Sequence, residues 1–113
     1  MRIRGPYFKG GNGKEVRKAI KMVARESGID TDGLEFVVFP KKKYANGNGV
    51  NGWAYVDERR IELKIPDGYD MIDLLAVVDH EIAHLKYPWA RHPDLVPISW
   101  LMEKWKERIS GGR

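Results

Sequence analysis

The chain predicts an α+β domain: a small antiparallel three-stranded sheet with about three helices packed on one side. Three observations carry this. Two stretches repeat apolar residues at helical spacing around a strand-forming run. A pair of short alternating segments is separated by a turn and reads as a hairpin. A third helical stretch follows a proline near the end of the chain. At 113 residues there is room for one core, so residues 1–113 form a single domain.

The elements follow in order. Residues 1–12 are rich in glycine and basic residues and read as a flexible arm. A helix is expected from about Lys14 to Ser27, with Val16, Ala19, Ile20, Val23 and Ala24 as its apolar stripe and Gly28 as its stop. Leu34 to Phe39 is a β-branched and aromatic strand that ends at Pro40. Residues 41–52 are a loop, with Asn46-Gly47-Asn48-Gly49 as a turn signal. Trp53 to Val56 and Arg60 to Ile65 form the hairpin through Asp57-Glu58-Arg59. In the second of these, Ile61, Leu63 and Ile65 alternate with charged residues, so one face is buried and one is wet. Pro66-Asp67-Gly68 turns the chain into a helix capped by Asp70, with Asp73 in its first turn and Lys86-Tyr87-Pro88 at its end. The last helix starts after Pro97 and runs to about Ile109, with Ile98, Leu101, Met102, Trp105 and Ile109 on one stripe. Residues 110–113 read as a flexible tail.

Composition narrows the chemistry. There is no cysteine, which excludes a disulfide framework and any thiolate metal site. No stretch reaches the eighteen or so apolar residues of a membrane span, and the N-terminus lacks the apolar run of a signal peptide. The expectation is a soluble protein of the cytoplasm. The net charge is +4, with Lys41-Lys42-Lys43 as the basic cluster. Three lysines in a loop are most simply a solvated turn, so no nucleic-acid partner is expected from them. Oligomeric state is not readable.

One motif carries chemistry. His80-Glu81-Ile82-Ala83-His84 reads H-E-x-x-H. On a helix, residues four apart share a face, so His80 and His84 can offer two imidazoles to one metal ion. Glu81 sits beside that pair, where it can take a proton from a metal-activated water without ligating. The opposite face, Leu75, Val78, Ile82 and Leu85, is wholly apolar, so the histidines turn away from the core. H-E-x-x-H also arises by chance on polar helix surfaces; the cap, the apolar stripe and the defined end argue against that here. A catalytic zinc needs a third protein ligand. The candidates are Glu103, nineteen residues beyond His84, and His92, eight residues beyond it. Glu103 lies nearly opposite the apolar stripe of its helix, while His92 sits in a loop between Arg91 and Pro93, and the pattern leaves both open.

With these residues in view the chain resembles the minigluzincins, minimal soluble relatives of the catalytic domains of membrane-embedded zinc peptidases. The resemblance covers about residues 34–109, and only H-E-x-x-H in it is specific. It implies a zincin-like fold and a zinc metalloendopeptidase acting on peptide or protein substrates. It implies Glu103 as third ligand and Glu81 as catalytic base. It also implies a substrate-gripping edge strand at Trp53, Ala54 and Tyr55. In that segment Gly52-Trp53 intervenes between Asn51 and Ala54, a departure from the Asn-Ala-aromatic pattern. Minigluzincins are regarded as zymogens, which implies latency through a terminal segment. The motif followed by a histidine and a tryptophan-containing helix is also similar to SprT-like peptidases, some of which act on proteins crosslinked to DNA. That resemblance would make His92 the third ligand. Two further alternatives stand beside these: a non-catalytic zinc-binding module closed by both His92 and Glu103, and a nucleic-acid-associated protein whose basic first half docks to phosphates.

Overall fold

The computed structural model describes residues 1–42, 49–91 and 93–110. His92, Lys43, the Asn46-Gly47-Asn48 turn signal and the terminal Gly111-Gly112-Arg113 lie outside the described residues. The chain forms β1 (Arg2–Arg4), a 3-10 helix (Pro6–Gly11), α1 (Lys14–Ser27), β2 (Glu35–Pro40), β3 (Asn51–Tyr55), β4 (Arg60–Ile65), α2 (Met71–Lys86) and α3 (Ile98–Ser110). Among the described residues no helix is long and apolar enough to cross a membrane.

The expected three-stranded antiparallel sheet is corrected. Among the described residues the sheet has four strands in the order β1-β2-β4-β3, and it is mixed. β1 and β4 both run parallel to β2, and only the β3-β4 hairpin is antiparallel. The helix number also changes, because the 3-10 helix makes a fourth. The order follows from what each strand has to bury. β4 offers Ile61, Leu63 and Ile65, all fully buried, and so takes the inner position beside β2. β3, Asn51-Gly52-Trp53-Ala54-Tyr55, has little to bury and takes the edge. Placing β4 inside brings it alongside β2 in the same direction, and β3 lies within the connection that parallel neighbours need.

β1 comes from the segment that read as a flexible arm. Arg2-Ile3-Arg4 is too short and too charged to register as a strand, and what fixes it is remote in sequence. The Arg2 N–H donates to the Leu34 carbonyl (2.9 Å). Arg17 of α1 donates to the Ile3 carbonyl (2.8 Å), and its guanidinium lies 4.0 Å from the Phe8 ring centre. Arg4 pairs with Glu35 on β2 (2.8 Å), which raises the arginine pKa and lowers that of the carboxyl, chiefly through their hydrogen bond. β1 therefore occupies the sheet edge opposite β3.

The helices follow the local signals closely. α1 ends where Gly28 adopts a left-handed φ of 75° and its N–H donates to the Arg25 carbonyl (3.1 Å). Asp70 caps α2 by accepting from the Ile72 N–H (3.0 Å), a contact of about 1 kcal/mol. Leu75, Val78, Ile82 and Leu85 are buried, and they join Val16, Ile20 and Val23 of α1 and Phe36, Val38, Ile61 and Leu63 of the sheet in one core. α3 is less embedded than its stripe suggested. Leu101 and Trp105 are buried, whereas Ile98 and Ile109 are exposed.

Candidate metal and peptide site

α2 places the motif as its spacing requires. The Nε2 atoms of His80 and His84 are 3.0 Å apart, with the rings edge to face at 4.6 Å between centres. Two imidazole nitrogens on a tetrahedral zinc, each about 2.0–2.1 Å from it, would stand about 3.3 Å apart. The pair therefore converges on one point at nearly the spacing that zinc would impose. His80 is exposed and His84 half-buried, so that point is open to solvent.

Glu81 is different: it is only 8% exposed. Burial pushes its carboxyl pKa up, and the neighbouring His80 and His84 pull it back down. The wall it lies against is β3. A Cβ added at Gly52 would stand 2.7 Å from Glu81 Cγ, 2.8 Å from Val77 Cγ1 and 3.1 Å from Glu81 Oε2. Gly52 has no left-handed φ, so its glycine is a matter of space. Sequence reasoning took this residue only as a departure from a pattern. The sequence placed Gly52 in the loop 41–52, whereas the strand begins at Asn51, and a glycine inside a strand marks close approach of another group. Gly52→Ala is expected to cost about 1–3 kcal/mol by overpacking and to displace the Glu81 side chain. Urea unfolding checks this, and a variant as stable as the parent would show that Glu81 does not rest there.

Gly52, Trp53, Ala54, Val56, Glu81 and His84 line an open groove of about 330 Å³ between the β3 edge and α2. The three residues expected to grip substrate do not all share it. Strand alternation puts Ala54 on the α2 side with Gly52. Tyr55 lies on the other face of the sheet, where Arg60 stacks 4.4 Å from its ring centre and its hydroxyl reaches Glu62 (3.4 Å). Trp53, 67% exposed, lines both the groove and a depression of about 380 Å³ on that other face.

Glu103 is exposed on α3. Among the described residues no group of three His, Cys, Asp or Glu side chains is placed to hold a metal, so Glu103 is not brought to the histidine pair. The neighbouring Trp100 turns toward α1, donating to Glu26 (3.2 Å) with Lys104 against its ring.

Two aspartates anchor the surroundings. Asp73, expected only to suit the helix dipole, accepts from the Val50 N–H (2.7 Å), and Lys41 donates to the Gly49 carbonyl (2.7 Å). Together they fix the entry to β3 against the first turn of α2. Asp79, which sequence reasoning missed, is buried beside His80, and its carboxyl accepts from the Val96 backbone. Burial raises its pKa, opposed by that hydrogen bond and by Lys86 and His80. A lone acid between Val78 and His80 was the available signal. No protein-family model matches the chain, and no curated protein or solved structure does.

Proposed function

We infer that this protein is a zinc-dependent metallopeptidase of the minigluzincin kind, cleaving peptide bonds within extended chains. The observation that carries the reading is the convergence of His80 and His84 beside a buried carboxylate, Glu81, in a groove walled by a free strand edge. The donors suit zinc: two imidazoles at near-tetrahedral spacing and no thiolate in the chain. Among the described residues no third donor stands with the histidine pair; the candidates the sequence offers, Glu103 and His92, are separated by the zinc content of parallel alanine variants.

Zinc held there supplies a Lewis acid that polarises a carbonyl and acidifies water. The chain supplies the rest. Glu81 takes the proton of the attacking water and hands it to the leaving amine. Its burial raises its pKa, which favours uptake of that proton. The close approach of the Gly52 backbone holds the Glu81 side chain in the groove that His84 also lines.

The two sheet edges differ in a way that favours peptide docking on β3. β1 is three residues long and carries Arg2 and Arg4, a design that discourages further pairing. β3 is five residues long and uncharged, and among the described residues no strand pairs with its outer side, the edge on which an extended chain would dock. Arg2–Arg4 is engaged with β2 at the far edge, so latency through this arm would require β1 to leave its partner.

The test is zinc content together with cleavage of an unfolded protein substrate. One zinc per chain and cleavage that a chelator abolishes and zinc restores is the expected result. A protein that neither binds zinc in excess metal nor cleaves would overturn the reading.

A further inference from the structure

The outward face of α1 is a strip of cations. Lys14, Lys18, Lys21 and Arg25 are spaced four, three and four residues apart, and all four are exposed. At 3.6 residues per turn they fall within an arc of about 60° and extend about 16 Å along the helix. Residues 14–25 hold five cations, counting the partly buried Arg17, against one anion, Glu15. That local surplus equals the net charge of the whole chain, +4. Glu15 and Glu26 lie on the flank of the strip, and among the described residues only Arg25 at its end has an acidic neighbour, Glu26 at 3.7 Å. By contrast, Arg60 is paired with Glu58 and Glu62, and Lys104 with Glu107.

We propose that this face of α1 docks the phosphate backbone of a nucleic acid duplex. A line of like charges matches a linear polyanion better than a single small anion. About 16 Å corresponds to about five base-pair steps along a duplex. A membrane surface fits less well, because an interfacial helix inserts an apolar face, and that of α1 (Val16, Ala19, Ile20, Val23, Ala24) is committed to the core. The surface is distinct from the Lys41-Lys42-Lys43 loop and independent of the metal site. Backbone contact alone implies weak, sequence-independent binding that tethers the protein to nucleic acid while its groove stays free.

Titration of the full chain with a short duplex DNA at several salt concentrations tests this. Four phosphate contacts predict a loss of affinity of about 100-fold between 50 and 200 mM salt. Lys18→Gln with Lys21→Gln should lower the slope of log affinity against log salt by about two units. The same change is expected of Lys14→Gln with Arg25→Gln. Lys106→Gln with Arg108→Gln on α3 should leave it unchanged, and circular dichroism confirms the fold of each. A flat salt response, equal losses in the α1 and α3 variants, or equal binding of phosphatidylserine vesicles or polyglutamate would overturn the proposal.

Discussion

Glu81→Gln is expected to keep zinc and to lose peptide hydrolysis by about 10²–10⁴-fold, the range of a positioned general base. The change preserves the shape that rests against Gly52 and Val77 and removes only the proton acceptor. Stability should therefore hold, or rise slightly, because a group buried to 8% exposure no longer carries charge. Zinc content by mass spectrometry and single-turnover cleavage separate the two effects. Loss of zinc in this variant would make Glu81 a ligand, and full activity would remove it from the mechanism.

His80→Ala and His84→Ala are each expected to lower zinc affinity by orders of magnitude, since each removes one of two converging nitrogens. The apoprotein should remain folded in both. The core of α2 is Leu75, Val78, Ile82 and Leu85, and neither histidine belongs to it. Thermal unfolding with and without zinc gives the readout. The parent gains stability with metal and the variants do not. An equal metal-induced shift in parent and variants would place the metal elsewhere.

Asp79 and Asp73 bear on why this site stays in register. One is tied to Val96 and the other to Val50, so the segment before α3 and the entry to β3 are both anchored to the helix that carries the histidines. Such contacts join residues 17 and 23 positions apart, and nothing in the local sequence announces them.

The sequence by itself determined what depends on near neighbours. Gly28, Asp70 and Pro97 bound the helices, because caps and breakers act within a turn. The β3-β4 hairpin was legible from two alternating runs around Asp57-Glu58-Arg59. The meeting of His80 and His84 was legible too, because i and i+4 share a face on any regular helix. Only the tertiary structure decided the rest. β1 exists because Arg17, Glu35 and Leu34 hold a short charged segment that has no strand signal of its own. β4 lies inside and β3 at the edge because the sheet places its strands by what each can bury against α1 and α2. Gly52 meets Glu81, Tyr55 turns to the far face and Glu103 faces solvent for the same reason. Each outcome depends on which surfaces are brought together across the fold, and period and propensity carry no record of that.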